Sequence, residues 1–296
     1  MAKNKFIGTG VALVTPFRKD ESIDFKSLEK LIEHVIAGGV DYLVVLGTTG
    51  ESVTLTQDER FAIVDYVKEI NNKRVPMVVG MGSYVTRDVI NSLKTYNFDG
   101  IDAVLSVTPY YNKPNQKGLY EHYKRIANES PVPIILYNVP GRTGANINAE
   151  TTLKLAGDFD NIIAIKEASG NIGQIMQIVK NKPEDFLVIS GDDALTFPLI
   201  SLGVSGVISV VANAFPSQFS EMVNLALKEK IKEARVIHYQ LVDLIEALFA
   251  DGSPGGVKTA LQHIGIMQSH VRMPLASVNR LVHNKIIALT DIINNA

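Results

Sequence analysis

The chain alternates short apolar segments with longer segments whose apolar residues recur at helical spacing. The short segments are rich in β-branched residues and are separated by turn-forming residues, which is typical of strands. They are residues 8–14, 42–46, 77–80, 103–107, 133–137, 162–166, 187–190 and 206–210. The helical patterns between them include residues 25–37, 57–70, 86–96, 119–128, 149–156 and 172–179.

This alternation predicts an α/β fold with a parallel sheet, because each helix returns the chain to the same edge. The strand segments are apolar along their whole length, which indicates that both sheet faces are buried. Eight such units predict a (β/α)8 TIM barrel over residues 1–225, followed by a C-terminal helical appendage over residues 226–296. The appendage has helical patterns around residues 230–249, 256–266 and 275–293. A doubly wound open sheet is the structural alternative.

Composition narrows the class of protein. The 296 residues are 46% hydrophobic and 20% charged, which excludes a disordered chain, and the net charge of −2 argues against binding to nucleic acid or anionic lipid. The lack of Cys excludes disulfides, thiolate metal sites and a cysteine nucleophile. The uncharged segments 6–17 and 198–216 contain too many Gly, Ser, Thr or Pro residues for a signal peptide or a membrane span. We therefore expect a cytoplasmic protein.

The chemistry of such a barrel lies where strands end and the following loops begin, so polar residues there carry the most weight. Lys166 ends an apolar strand that would bury its stem. Burial disfavours the charged form of an amine, and a neutral amine can add to a ketone and form a Schiff base. The alternative is an ion pair with Glu167 at the rim. Tyr137 ends the preceding strand, where it is either a proton shuttle for Lys166 or an ordinary core tyrosine.

Two further loops offer anion-binding groups. The segment Gly47-Thr48-Thr49-Gly50-Glu51 can cradle a carboxylate with backbone N–H groups and hydroxyls, or it can be a tight turn. No Gly-Lys-Ser/Thr follows it, so nucleotide phosphates are not expected. Arg142, in the loop after Tyr137, can bind a carboxylate through two hydrogen bonds, unless it is an ordinary solvated arginine. Tyr110 and Tyr111 form either a lid or a subunit contact.

Other features indicate no chemistry. Asp192 and Asp193 are interpreted as carboxylates that cap the start of a helix. The six histidines show no metal-ligand spacing, and Gly8-Thr9-Gly10 lacks the rest of a dinucleotide fingerprint. We expect no metal and no cofactor.

Five segments together resemble the dihydrodipicolinate synthase family, within the N-acetylneuraminate lyase superfamily of class I pyruvate aldolases. They occur in the family's order, and the likeness covers essentially the whole chain. The segments are Gly47-Thr-Thr-Gly-Glu-Ser52, Tyr110-Tyr-Asn-Lys-Pro114, Tyr137-Asn-Val-Pro-Gly-Arg-Thr-Gly144, Ile165-Lys-Glu-Ala-Ser-Gly170 and Gly206-Val-Ile-Ser-Val210.

The resemblance implies a lyase that condenses pyruvate with L-aspartate-4-semialdehyde on the route to diaminopimelate and lysine. It implies that the enzyme works as a homo-oligomer, either a tetramer or a dimer, of which the tetramer is favoured. By motif position, Lys166 would form the Schiff base and Tyr137 would transfer protons in a relay with Thr48 and with Tyr111 from the neighbouring subunit. The remaining matched positions imply that Thr49 and Ile208 contact pyruvate, that Gly191 lies nearby, and that Arg142 binds the carboxylate of the semialdehyde.

The chain also departs from the family pattern. Residues 251–258 read Asp-Gly-Ser-Pro-Gly-Gly-Val-Lys, where many members carry Asn-Pro-x-Pro, so the loop shape there is in question. Many members are inhibited by lysine, at positions that hold Ser52, Val53, Gln57, Arg60, Tyr84, Asp88 and Tyr110 in this chain. The bulk of Tyr84 and the charge of Arg60 imply weak feedback inhibition by lysine.

There are two alternatives to the synthase. One is a related sugar-acid lyase, which shares the lysine and the tyrosine. The other is a barrel that binds a keto acid and has no catalytic activity.

Overall fold

The computed structural model describes residues 3–295 and shows eight parallel strands that close into a barrel in sequence order. This confirms the predicted (β/α)8 fold and excludes the open sheet. The strands are β1 (Gly8–Ala12), β2 (Tyr42–Val45), β3 (Met77–Met81), β4 (Ala103–Val107), β5 (Ile134–Asn138), β6 (Ile162–Glu167), β7 (Leu187–Ser190) and β8 (Gly206–Ser209).

In the described part of the chain, residues 3–295, nine α-helices accompany the strands up to the end of the barrel, and three more follow it. The first group is α1 (Phe25–Ala37), α2 (Gln57–Asn71), α3 (Thr86–Thr95), α4 (Gln116–Glu129), α5 (Pro140–Thr143), α6 (Ala149–Asp158), α7 (Ile172–Asn181), α8 (Thr196–Ser201) and α9 (Pro216–Leu227). The second group is α10 (Ile231–Phe249), α11 (Gly255–His263) and α12 (Arg280–Asn294). Within residues 3–295, no helix is long and apolar enough to cross a membrane.

Local hydrogen bonds explain where several helices begin. The side chain of Asn115 accepts from the Gly118 N–H, so α4 starts earlier than the apolar pattern indicates. The side chain of Asn279 accepts from the N–H groups of Leu281 and Val282, which starts α12 five residues later than residue 275. Helix α5 is one short turn that the sequence pattern did not predict.

Side chains of the strands form two separate cores. The smaller core fills the barrel and contains residues such as Val44, Val78, Leu105, Ile135 and Ile208. The larger core lies between the strands and the surrounding helices, and residues such as Leu43, Val79 and Leu136 contribute to it. Burial on both faces explains the unbroken apolar runs in the sequence.

The C-terminal helices pack directly on the barrel helices. Helix α9 packs against α1 and β1, α10 packs against α9, and α11 and α12 pack against each other and α10. Gly256 is required at the start of α11, because a Cβ there would lie 2.1 Å from the Leu248 carbonyl oxygen. The division of the chain into two regions at residue 225 stays a prediction.

His122 on α4 is a buried titratable group that packs against α3. Its Nδ1 lies 2.9 Å from the Thr86 hydroxyl oxygen, and its Nε2 has no hydrogen-bond partner among residues 3–295. Burial lowers the pKa of His122 from 6.5 to about 4. The unfolded chain therefore binds a proton at a higher pH than the folded chain does, and stability is lost as the pH falls from 6.5 toward 4.

We expect His122→Asn to reduce the acid sensitivity of the fold. The whole shift of the His122 pKa lowers the free energy of unfolding by about 3 kcal/mol between pH 6.5 and pH 4, because only the unfolded chain binds the proton there. Melting temperatures at pH 7.5 and pH 5 measure this, with exposed His283→Asn as the control. An equal drop in melting temperature for the wild type and His122→Asn would contradict the assignment.

Candidate active site

Lys166 and Tyr137 face each other inside the barrel, at the carboxyl ends of neighbouring strands. The register of β5 and β6 pairs Tyr137 with Lys166. Lys166 Nζ lies 4.5 Å from the centre of the Tyr137 ring, and the two residues are only 5% and 6% exposed. The structure thus brings together an amine and a phenol, the two groups that Schiff-base chemistry with proton transfer requires.

A β-bulge in β6 determines that Lys166 points inward. Ile134 pairs with Ile162, but Ile135 pairs with Ala164, so Ile163 is an extra residue. Ile163 and Ala164 both belong to the core inside the barrel, whereas Ile162 and Ile165 belong to the outer core. Strict alternation from Ile162 would place Lys166 on the outer face, and the extra residue reverses this.

Glu167 lies on the opposite face of β6 from Lys166 and does not pair with it. Its Oε1 accepts hydrogen bonds from the side-chain amides of Asn138 and Gln174, at 2.7 and 2.8 Å, and its Oε2 accepts from the Ser169 hydroxyl. Burial raises the pKa of the Glu167 carboxyl group. Among residues 3–295, no acidic side chain forms an ion pair with Lys166, so the alternative interpretation as a rim ion pair does not hold.

Gly191 lies beside the stem of Lys166, and Ile208 lies in the core inside the barrel. A Cβ at Gly191 would lie 2.9 Å from Lys166 Cε and 2.7 Å from Ala168 Cβ, so only glycine leaves the lysine stem its space. Ile208 is 1% exposed and belongs to the same inner core as Tyr137. Both positions therefore adjoin the amine–phenol pair or its core.

Thr48 and Thr49 lie in a 3-10 turn, Thr48–Gly50, directly after β2. The turn is followed by Glu51 in the left-handed conformation, with φ 53° and ψ 33°. On the other side the Thr15 hydroxyl donates to the Gly50 carbonyl oxygen at 2.7 Å, which ties the turn to the chain after β1. Thr49 is buried, whereas Thr48 opens onto a cavity.

Thr48, Tyr137 and Arg142 line one cavity of about 650 Å³. Arg142 lies in α5, which the left-handed Gly144 ends. Its guanidinium is exposed and forms no hydrogen bond or ion pair within residues 3–295, so it is free to bind an anion. Three of the residues predicted to act on the substrates thus line the same cavity. That cavity is also lined by Ser52, Gln57, Arg60, Asp88 and Tyr110.

Tyr111 does not line the cavity that Thr48, Tyr137 and Arg142 share. It is 89% exposed, and its backbone is left-handed, with φ 71°. Tyr110 is oriented differently from Tyr111: its ring packs edge-on against the Tyr84 ring, and the two ring centres are 5.4 Å apart. Burial raises the pKa of Tyr110.

Asp193 has a contact that the sequence did not reveal. It was interpreted as a helix cap, but its Oδ2 accepts from the N–H groups of Val210 and Val211, both at 3.0 Å, directly after β8. Burial raises the pKa of Asp193 to about 6. Asp192 alone keeps a local role, accepting from the Leu195 N–H just before α8. Among residues 3–295, no group of three or more His, Asp or Glu residues could hold a metal ion.

A (β/α)8 barrel with an inward lysine on β6 and an adjacent tyrosine on β5 belongs to the class of Schiff-base-forming aldolases. The sequence model of the dihydrodipicolinate synthetase family matches residues 5–292. The chain belongs to this family.

Individual relatives agree with this assignment. The chain is 54% identical to a 4-hydroxy-tetrahydrodipicolinate synthase of Parabacteroides distasonis over 286 residues, 97% of this chain and 96% of the relative. Dihydrodipicolinate synthase of Aquifex aeolicus has a crystal structure that superposes with a TM-score of 0.94 at 40% identity, covering 98% of both chains. The lysine-bound enzyme of Cyanidioschyzon merolae superposes with a TM-score of 0.94 at 38% identity, covering 99% of both chains.

Proposed function

We propose that the protein condenses pyruvate with L-aspartate-4-semialdehyde to 4-hydroxy-tetrahydrodipicolinate, in diaminopimelate and lysine biosynthesis. Membership of the family supports the reaction. The observation that carries the proposal is the unpaired Lys166 amine, 4.5 Å from the centre of the Tyr137 ring, because Tyr137 lines one cavity together with Thr48 and Arg142.

The chemistry begins with Lys166. Its neutral amine adds to C2 of pyruvate, and the carbonyl oxygen leaves as water, which gives the imine. Loss of a proton from C3 then makes an enamine, and this carbon forms a bond to the aldehyde carbon of the semialdehyde while the aldehyde oxygen takes up a proton. Finally the amino group of the semialdehyde adds to C2 and displaces Lys166, which closes the ring and frees the amine.

The surrounding residues supply protons and hold the substrates. Tyr137 transfers protons to and from the intermediates through a relay with Thr48 and with Tyr111 of a second subunit. Thr49 and Ile208 contact pyruvate, and Gly191 leaves room for the lysine and its adduct. The exposed guanidinium of Arg142 binds the carboxylate of the semialdehyde, because two parallel hydrogen bonds suit that group.

The function is tested by a coupled assay with pyruvate and aspartate semialdehyde, run beside an assay of N-acetylneuraminate cleavage. We expect activity in the first assay only. Turnover of N-acetylneuraminate alone would indicate a sugar-acid lyase of the same superfamily. Failure of both assays would indicate a barrel without catalytic activity. The cytoplasmic location stays a prediction.

Lys166→Ala should abolish covalent capture of pyruvate while leaving the fold intact. Borohydride reduction in the presence of pyruvate, followed by mass spectrometry, measures the adduct. The matched control is Lys154→Ala, because Lys154 Nζ also lies over a tyrosine ring, 4.6 Å from the centre of Tyr120, but on the surface. Wild-type capture by Lys166→Ala would show that another residue is the nucleophile.

Arg142→Ala should impair use of the semialdehyde and spare the imine with pyruvate. Losing a charge-assisted pair costs about 1.5–3 kcal/mol, or roughly ten- to a hundredfold in kcat/KM for the semialdehyde. Steady-state kinetics with each substrate varied in turn measure this, with exposed Arg87→Ala as the control. An unchanged kcat/KM for the semialdehyde would remove Arg142 from the site.

The homo-oligomer is a second part of the proposal, and two exposed apolar surfaces support it. One carries Val53, Tyr84 and Tyr111, which are 78%, 53% and 89% exposed. The other carries Ile172 and Met176 on α7, Leu202 after α8, and Val236 and Tyr239 on α10. A tetramer built from two dimers requires two contact surfaces on each subunit, and exposed groups of apolar residues are typical of such surfaces.

Tyr239→Asp should therefore convert a tetramer into a dimer without removing Tyr111 from its partner's site. Sedimentation velocity should show the mass halved, because a buried unpaired carboxylate opposes association. Leu281→Asp, at an exposed apolar position on α12 outside both surfaces, should leave the mass unchanged. A Tyr239→Asp protein of wild-type mass would exclude this surface from the interface.

Lysine feedback should be weak. Arg60 lines the cavity with Asp88 and Tyr110, and its Nε donates to the Ser52 carbonyl oxygen at 3.1 Å, while Tyr84 packs against Tyr110. A cation beside a site for a cationic ligand costs about 1 kcal/mol at a few ångströms, which weakens binding about tenfold. Titration of lysine into the coupled assay measures this, and half-inhibition at submillimolar lysine would contradict it.

A further inference from the structure

The loop that carries Thr48 is held by a buried carboxylate whose partners come from the far end of the chain. Glu51 follows the Thr48–Gly50 turn, and its side chain is completely buried. Its Oε1 accepts from Lys258 Nζ at 2.5 Å, and its Oε2 accepts from the Arg272 N–H at 3.0 Å. Both oxygens of the carboxylate are thus occupied by groups more than two hundred residues away in sequence.

Lys258 is built into α11 as a fixed donor. It is 0% exposed, it also donates to the His270 carbonyl oxygen at 2.8 Å, and its Nζ lies 4.4 Å from the centre of the Phe17 ring. Burial lowers the pKa of Lys258 to about 8, against the opposing effect of Glu51. The ammonium therefore predominates at neutral pH and can hold the carboxylate in place.

The side chain of Arg272 fixes the other end of the same loop. Its guanidinium donates to the Thr54 carbonyl oxygen at 3.0 Å and forms two hydrogen bonds to the carboxylate of Glu59 on α2. It also donates to the Glu21 carbonyl oxygen and lies over the Phe17 ring. The segment after Thr48 is thereby clamped between α2 and the region that follows the barrel.

We propose that Lys258 and Arg272 are positioning residues that hold the loop of residues 47–54 so that the Thr48 hydroxyl can serve the proton relay. The proposal rests on the proposed function of the site. It has a physical reason: Glu51 adopts a left-handed backbone, which non-glycine residues keep only when surrounding contacts enforce it. Without those contacts the loop relaxes, and a displacement of about 1 Å at a reacting group can cost a hundredfold in rate.

The test separates positioning from a general loss of stability. Lys258→Met removes the ammonium and keeps a similar shape, and Leu261→Ala is the matched control. Leu261 is a fully buried residue of the same helix that bonds to nothing in the loop, so its truncation destabilises α11 through a cavity alone. Each variant is combined with Thr48→Val, and kcat is measured well below the melting temperature of each protein.

We expect the effects of Thr48→Val and Lys258→Met on kcat to be non-additive. The effects of Thr48→Val and Leu261→Ala on kcat should be additive. In the wild type, Thr48→Val should lower kcat about a hundredfold, the usual contribution of a proton-transfer group. In Lys258→Met, kcat is already about a hundredfold lower, and Thr48→Val should lower it by less than about threefold further, because the hydroxyl is no longer in place. In Leu261→Ala, Thr48→Val should keep its full effect.

A full effect of Thr48→Val in both backgrounds would overturn the proposal. If Lys258→Met does not fold, Arg272→Met carries the same test, because it removes the bonds to Thr54 and Glu59 and leaves the N–H bond to Glu51. Additive effects in that background would likewise overturn it. A wild-type protein without synthase activity would instead refute the proposed function, so the two failures are distinguishable.

Discussion

The extra residue in β6 is the constraint on which the site depends. A parallel strand inside a barrel presents alternate residues to the two cores, so a shift of one residue moves every following side chain to the opposite face. Because Ile163 is unpaired opposite β5, Lys166 reaches the barrel interior beside Tyr137, and Glu167 turns outward to Asn138. One irregular pairing thus decides which of two adjacent charged residues lies beside Tyr137 inside the barrel.

Much of the barrel can be predicted from the sequence, because the burial of each strand determines the composition of that segment. Strands buried on both faces must be apolar throughout, and the eight runs mark the observed strands to within two residues at most ends. The uniformly apolar composition of β6 also prevents its bulge from being located in the sequence. In Ile162-Ile163-Ala164-Ile165 all four residues suit either core, so no pattern shows where the alternation breaks.

The contacts of the candidate site could be predicted where its residues end strands, and they could not be predicted where they join distant segments. Lys166 and Tyr137 are marked by their place after apolar runs, and the matching motifs supply roles for both. Asp193 looks like a helix cap, and only the closed barrel brings the N–H groups after β8 to it. The bonds from Glu51 to Lys258 in α11 and to Arg272 after α11 depend on packing of the last helices, which no local pattern encodes.

Two buried lysines of this chain differ in whether a carboxylate contacts them. Lys166 and Lys258 are 5% and 0% exposed, and their Nζ atoms lie at nearly equal distances, 4.5 and 4.4 Å, from the centres of aromatic rings. A carboxylate in contact favours the charged form of a lysine, which suits an anchor but not a nucleophile. Lys258 has Glu51 as that partner, whereas the carboxylate nearest to Lys166 in sequence is held on the other face of β6. The bulge that turns Lys166 inward therefore also keeps Glu167 away from it.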